Sequence, residues 1–157
     1  ETIQLLLDKK IPIVTTFSAL VIQANPDIAR AFGIPEWKIE ERQKAVADKA
    51  RFDGLVRAAK AGVPIVFGTD AGSPAVEHDR IVPELGFMVE VGVCPDNLDA
   101  LRAITARAAV LNGFGDSLGT LEAGKLADVI VVDGNPDQDL TALERVTRTY
   151  IDGKRLH

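Results

Sequence analysis

Asp70 is the residue of this sequence whose setting most suggests chemistry. The stretch GVPIVFGTDAGS, residues 62–73, carries an apolar run that ends in Gly-Thr-Asp-Ala-Gly. The flanking glycines allow backbone conformations that other residues avoid, and they let a ligand approach closely. Asp has the shortest anionic side chain, so it holds its oxygens rigidly near the strand axis. That placement suits a hard or borderline cation and the water bound to it.

The same pattern also has a purely structural interpretation. Asp70 would then cap the turn or helix that follows it, with Ser73 and Pro74 supplying the turn chemistry. From the strand and its glycines alone, the two interpretations carry equal weight.

Histidines that could share a metal with Asp70 are scarce. His78 lies in the same loop region as Asp70. His157 is the last residue, in the C-terminal segment of short strands. A catalytic zinc site usually takes about three protein ligands and a water. Asp70 and His78 do not reach that number. Either the site holds no metal, or most of its ligands lie outside this sequence.

Two apolar, β-branched runs would position Asp70. Residues 11–17, IPIVTTF, and residues 63–68, VPIVFG, have the pattern of strands that are covered on both faces. Helical patterns separate them, which predicts a parallel β-α-β arrangement. In parallel α/β architectures, chemistry gathers at the carboxyl ends of the strands, where Asp70 lies.

Helical periodicity accounts for much of the remaining sequence up to residue 112. The predicted helices fall at residues 1–10, in two short pieces punctuated by Pro26 and Pro35, from Glu40 to Ala61, near Pro83–Val91 and from Pro95 to about Asn112. Residues 18–36 are predicted to be an insertion on a loop, with Trp37 packing inside it.

The pattern changes near Gly115. Short strands and turns dominate beyond it, and the pair Asp152–Gly153 predicts a hairpin turn before a last strand, Lys154–His157. We therefore predict a parallel α/β unit over residues 1–115 and a small β-unit over residues 116–157.

Composition limits the function classes. The 157 residues are 46% hydrophobic and 26% charged, which is typical of a globular domain with a sizeable core. The net charge of −5 comes from interspersed signs, which argues against a nucleic-acid partner. No apolar stretch approaches the roughly 20 residues that cross a bilayer, so no membrane partner is expected. The single cysteine, Cys94, is interpreted as a small hydrophobic residue.

The sequence opens at Glu1, inside a helical pattern. We therefore expect a piece of a longer protein. The compartment does not follow from the lack of a signal peptide, although the cytoplasm is our expectation.

Two further stretches support a family resemblance. GVPIVFGTDAGS, followed by His78, Glu84 and residues 88–113, resembles the end of the barrel in the amidohydrolase superfamily. The likeness is closest to the imidazolonepropionase-like branch and its Xaa-Pro or Xaa-Arg dipeptidase-like relatives. Residues 118–136, LGTLEAGKLADVIVVDGNP, resemble that superfamily's C-terminal signature. The second match is highly specific, and the resemblance is weakest over residues 18–50.

The resemblance implies an α/β fold: the C-terminal part of a (β/α)8 TIM-type barrel, with its last strands and helices, followed by strands of a small β-sandwich. It also implies one or two divalent ions, usually zinc. The ligands would be a His-x-His pair on the first strand, a carboxylated lysine or similar bridging group, two later histidines, and an aspartate after strand eight. Asp70 matches that aspartate. The other ligands have no counterpart here, so they would lie on the rest of the barrel.

The resemblance assigns Asp70 both a metal-ligand and a catalytic role. It would take a proton from the attacking water and pass it to the leaving amine. Thr69 and His78 are the candidate substrate-binding residues, His78 by polarising the substrate carbonyl. A packing or capping role for His78 has equal weight. The expected partners are a small-molecule or short-peptide substrate and the rest of the barrel.

Three functions stay open. The leading hypothesis is a metal-dependent hydrolase of C–N bonds in an amide, peptide or cyclic amide, with this segment inactive alone. The second is a catalytically silent amidohydrolase-like scaffold or assembly module, and the third is a small independent ligand-binding α/β domain. Assembly into a homo-oligomer is compatible with each of them.

Overall fold

A computed structural model describes residues 1–156, which form an α/β arrangement. The α-helices are α1 (Thr2–Asp8), α2 (Ser18–Gln23), α3 (Pro26–Ala31), α4 (Glu36–Ala47), α5 (Asp53–Lys60), α6 (Val82–Glu90), α7 (Asn97–Ile104) and α8 (Ala106–Leu111). The strands are β1 (Ile13–Val14), β2 (Ile65–Val66), β3 (Val129–Val132), β4 (Val146–Ile151) and β5 (Lys154–Arg155). Two short 3₁₀ helices cover Lys49–Phe52 and Leu140–Glu144. Across residues 1–156, the helices are all too short or too polar to cross a membrane.

The two predicted strands pair in parallel, as expected. Ile13 lies opposite Ile65 and Val14 opposite Val66, with α2 to α5 connecting the strands. Both regular strands are shorter than the apolar runs that predicted them. The prediction that both strands are covered on both faces is wrong for β1, because Val14 is 45% exposed. Both residues of β2 are buried.

The helix predicted from Glu40 to Ala61 is interrupted at Asp48. The backbone of Asp48 leaves the helical region at φ −81° and ψ 82°, and a 3₁₀ turn follows. That turn brings the Phe52 ring against Phe17 and Phe87, with centroid distances of 5.4 and 5.3 Å and edge-to-face geometry. The helix breaks because burying this aromatic cluster outweighs continuing one regular helix.

The helix predicted from Pro95 to Asn112 is likewise divided, at Thr105. The Thr105 hydroxyl donates to the Leu101 carbonyl at 2.7 Å. The break lets the Ala103 carbonyl accept from the Phe67 N–H at 3.3 Å, and the Arg107 guanidinium donates to the Ile65 carbonyl at 3.1 Å. Backbone groups on the free edge of β2 thereby gain partners, which a straight helix would not provide.

The main core lies around α6. Leu85 and Met88 are fully buried there, together with the aromatic cluster. Leu140, beyond the predicted boundary near Gly115, also joins this core. Cys94 is fully buried, and burial raises the pKa of its thiol to about 12. The interpretation of Cys94 as a packing residue is confirmed.

The segment after β1 forms short helices, as its prolines predicted. Asn25 caps α3, because its side-chain oxygen accepts from the Asp27 N–H at 3.0 Å and the Ile28 N–H at 3.3 Å. The prediction that Trp37 packs inside this segment is wrong, since Trp37 is 66% exposed. Ile39 is the side chain that α4 buries instead, because the helix turns that face inward.

The last part of the described chain forms one three-stranded antiparallel sheet in the order β3-β4-β5. Asp152 and Gly153 both have positive φ, at 50° and 70°, and form the predicted hairpin turn. The predicted last strand covers Lys154–Arg155, while His157 lies outside the described residues.

Asp128 and Lys125, both within residues 118–136, stabilise turns through hydrogen bonds. The Asp128 carboxylate accepts from the Asp152 N–H at 2.8 Å, which ties the start of β3 to the hairpin turn. The Lys125 ammonium donates to the Gly115 carbonyl at 2.8 Å and to the Thr120 hydroxyl at 2.6 Å. These signature residues therefore have structural roles.

We expect Asp128→Ala to lower the free energy of unfolding by about 1 kcal/mol, because the Asp152 N–H loses its charged acceptor. Chemical denaturation of the complete protein measures this. Asp133→Ala is the matched control, since the Asp133 side chain makes no hydrogen bond to residues 1–156. Equal stability of the two variants would contradict the role given to Asp128.

Candidate functional site

Asp70 lies in the loop that follows β2, and its carboxylate is exposed. Its φ of +58° places it in the left-handed region, where few residues other than glycine are found. The Ser73 hydroxyl donates to Asp70 Oδ2 at 3.2 Å, and the Ser73 N–H donates to the Asp70 carbonyl at 3.2 Å. Oδ1 has no hydrogen-bond partner among residues 1–156. The turn interpretation and the site interpretation are thus compatible: the loop turns at Asp70 while one oxygen stays available.

Thr69 contributes to the same loop. Its hydroxyl oxygen accepts from the Ala71 N–H at 3.2 Å, and the residue is half-buried. The loop is closed by bonds from the Gly72 N–H to the Val76 carbonyl, at 3.1 Å, and from the Val76 N–H to the Ser73 carbonyl, at 2.9 Å. The Thr69 side chain therefore shapes the loop that presents Asp70.

Gly68 brings the loop close to the end of β1. A Cβ at this position would lie 2.6 Å from Val14 Cγ1 and 2.9 Å from the Thr15 carbonyl oxygen. Real Cβ atoms do not approach other atoms this closely, so the contact requires glycine. Asp70 thus lies two residues after a close contact between the ends of the two parallel strands.

His78 makes no hydrogen bond with Asp70 within residues 1–156. It is exposed, and within residues 1–156 it makes no hydrogen bond or ion pair. Nor do the described residues contain a group of three His, Cys, Asp or Glu side chains that could hold a metal ion. An exposed carboxylate with an unpaired oxygen fits one ligand of a divalent cation. Asp70 therefore fits a metal as a single ligand within the described chain.

Glu84, on α6, is fully buried next to this site. Its Oε2 accepts from both the N–H and the hydroxyl of Ser18, the latter at 2.9 Å, while Oε1 has no partner in the described chain. Burial raises the pKa of the Glu84 carboxyl, and the polar groups of Phe17, Thr15 and Ser18 partly offset that shift. Glu84 lies in the first turn of α6, as the sequence pattern indicates, and it is buried there. Glu84 holds the start of α2.

Gln23 contacts the Asp70 loop from the other end of α2. Its amide Nε2 donates to the Pro74 carbonyl at 2.9 Å, and its Oε1 accepts from the Arg42 guanidinium at 3.3 Å. Gln23 is only 6% exposed. Nothing in the sequence near Gln23 indicates this contact, because its partner lies 51 residues away.

A cavity of about 1220 Å³ lies elsewhere in the molecule. Its lining includes Pro12 and Pro64, which precede the two parallel strands, and neither Asp70 nor Thr69. The lining also includes both residues of β2, Ile65 and Val66, so the cavity runs along that strand and does not include the loop of the candidate site.

An acid presented at the carboxyl end of a parallel strand pair is the arrangement of α/β enzymes, whose functional groups lie on the loops after the strands. The sequence of residues 47–156 matches the amidohydrolase family, and this match includes Asp70. The chain belongs to the amidohydrolase family. No curated protein matches the chain at a significant level.

Solved structures of amidohydrolases resemble the chain over almost its whole length. A prolidase complexed with N-methylphosphonate-L-proline has 29% sequence identity and a TM-score of 0.73, and the match covers 98% of this chain and 36% of that one. A Xaa-Pro dipeptidase with methionine bound in its active site has 32% identity and a TM-score of 0.68, with 99% and 36% covered. The ochratoxinase of A. niger has 28% identity and a TM-score of 0.65, with 98% and 33% covered. The chain thus spans about a third of the length of these proteins.

Proposed function

We propose that this chain belongs to a metal-dependent hydrolase of C–N bonds in an amide, a peptide or a cyclic amide. The observation that carries the proposal is the exposed Asp70 carboxylate after β2, inside the segment that matches the amidohydrolase family. Relatives described as a prolidase and a Xaa-Pro dipeptidase support it.

In this proposal the described chain supplies the last two strands of a (β/α)8 barrel within residues 1–115. Residues 116–157 supply strands of a small β-sandwich. The rest of the barrel supplies the remaining metal ligands. The share of the relatives that the chain covers, about 36%, supports this division.

The chemistry follows from a metal site that includes Asp70. A divalent cation, zinc in the form we propose, would lower the pKa of a water and so supply a nucleophile near neutral pH. Asp70 Oδ1, which has no hydrogen-bond partner among residues 1–156, accepts the proton of the attacking water and then delivers it to the leaving nitrogen. The Ser73 hydroxyl holds Oδ2 and so orients the carboxylate. Thr69 keeps the loop in shape, and His78 is proposed to contact the substrate carbonyl.

The proposed substrate class is a small amide or a short peptide, with dipeptides foremost. Names of the relatives support this choice, since a prolidase and a Xaa-Pro dipeptidase act on such peptides. The test is hydrolysis of four probes by the complete protein loaded with zinc: Met-Pro, Met-Arg, an N-acyl amino acid and a cyclic amide.

We expect release of free amine from at least one probe, loss of that activity after chelation, and recovery on adding zinc. The segment of residues 1–157 expressed alone is the comparison, and we expect it to be inactive. A metal-loaded complete protein that hydrolyses none of the four probes would contradict the proposal and favour a catalytically silent scaffold.

A further inference from the structure

We propose that α2 is a brace, a helix that holds the loop carrying Asp70 in place. Gln23, the last residue of α2, and Glu84 of α6, which binds the first residue of α2, are then positioning residues for the Asp70 carboxylate. The inference rests on the proposed function. It gives a positioning role to α2, which lies in the segment of residues 18–36 that the sequence predicted only as an insertion.

Asp70 does not hold its own position. Its side chain has one hydrogen bond within residues 1–156, to Ser73, which lies in the same loop. Its φ of +58° is a conformation that non-glycine residues keep only where the surroundings impose it. Contacts between the loop and the rest of the chain therefore add to the bonds within the loop in setting where the carboxylate points.

Gln23 supplies one such contact. Its amide donates to the Pro74 carbonyl, four residues after Asp70, from a position that is 94% buried. Arg42 on α4 holds the other end of the amide and so fixes its orientation. Removing the donor would break this hydrogen bond between α2 and the Asp70 loop.

Apolar packing strengthens the same attachment. Ile22 of α2, next to Gln23, is buried against Ala75 and Val76 of the loop. Ile28 and Ile34 pack around this small cluster. The Asp70 loop therefore rests on α2 through both a polar and an apolar contact.

Glu84 fastens the opposite end of α2. It extends from α6, whose residues Leu85 and Met88 lie in the main core. Its carboxyl group accepts hydrogen bonds from the N–H and the hydroxyl of Ser18. A carboxylate is favoured at a helix N-terminus by the free N–H groups there. Glu84 Oε2 makes both hydrogen bonds to Ser18, while Oε1 has no partner in the described chain. The helix is thus fixed to the core at one end and to the Asp70 loop at the other.

The test uses Gln23→Glu and Glu84→Gln in the complete protein, assayed with whichever of the four probes the wild type hydrolyses fastest. Q23E keeps the side-chain size and its pairing with Arg42, but it replaces the donor with an acceptor that faces the Pro74 carbonyl. E84Q keeps the size but replaces the carboxyl group that binds Ser18 with an amide. A displacement of about 1 Å at a reacting group costs about 10²-fold in rate. We therefore expect each variant to lower kcat by up to about 10²-fold, with KM little changed.

Gln43→Ala is the matched control. The Gln43 amide also donates to the end of α2, at the Ala24 carbonyl, at 3.2 Å, but it does not contact the loop. We expect Q43A to keep the wild-type kcat. Thermal unfolding of every variant shows that each is folded at the assay temperature.

A double-mutant cycle separates positioning from general stability. If Gln23 acts through Asp70, then Q23E should cause no further loss of kcat in a D70N background. A full additional loss in that background would overturn the inference, and so would wild-type kcat in both Q23E and E84Q. Either result leaves the proposed function intact provided that D70N itself is impaired. Wild-type kcat in D70N would instead remove Asp70 from the mechanism, and the brace with it.

Discussion

In the complete protein, Asp70→Asn is expected to lower kcat by about 10²–10⁴-fold, the usual contribution of a general acid–base group, while KM changes little. Asn keeps the size of the side chain and can still bind the Ser73 hydroxyl that holds Oδ2. It cannot accept the proton of the attacking water at Oδ1. As a neutral ligand it also binds a divalent cation less strongly than a carboxylate does.

Steady-state kinetics and metal content should be measured on the same preparations, since they distinguish a lost proton acceptor from a lost ligand. Asp79→Asn is the matched control: it is the same change in the same exposed segment, and the Asp79 side chain has no hydrogen-bond partner in residues 1–156. D79N should behave as the wild type. If D70N and D79N have equal kcat values, Asp70 has no part in the reaction.

Much of the fold could be predicted from local sequence. The two β-branched runs gave a parallel pair, and the prolines at 26 and 35 marked the starts of α3 and α4. The hairpin turn at Asp152–Gly153 was predictable because its positive φ angles suit those two residues. Local patterns succeed here because each of these features depends on neighbours along the chain.

The two broken helices could not be predicted in this way. Periodicity continues through Asp48 and Thr105, although the helices end there. At Asp48 the cause is the burial of Phe52, and at Thr105 it is the free edge of β2. Both causes are tertiary contacts, which override helix propensity without leaving a signal in the local sequence.

The same distinction applies to the candidate site. Asp70 could be identified because the strand and the glycines that present it are adjacent in sequence. Gln23 and Glu84 make their contacts across 51 and 66 residues, so neither pairing was visible beforehand. An acid that directly follows a proline in an otherwise largely apolar stretch was the available signal for Glu84. For Gln23 there was none.

Gly68→Ala is expected to have the second-largest effect, on stability and activity together. The added methyl carbon would lie 2.6 Å from Val14 Cγ1 and 2.9 Å from the Thr15 carbonyl oxygen. The Val14 side chain can move, since that residue is 45% exposed, but the Thr15 carbonyl belongs to the backbone of the parallel pair. Relief of the clash therefore requires the ends of β1 and β2 to separate.

Such overpacking costs about 1–3 kcal/mol of stability. Because Asp70 lies two residues further along, the separation also displaces its carboxylate, and a shift of about 1 Å would lower kcat by about 10²-fold. Denaturant unfolding and steady-state kinetics of the complete protein measure the two effects. Gly54→Ala is the matched control, since that glycine lies inside α5 with no atom within 4 Å of the added Cβ, so the change should be neutral or stabilising. Loss of stability in G68A with an unchanged kcat would mean that the strand ends can separate without moving Asp70, which would contradict the strict positioning on which the site depends.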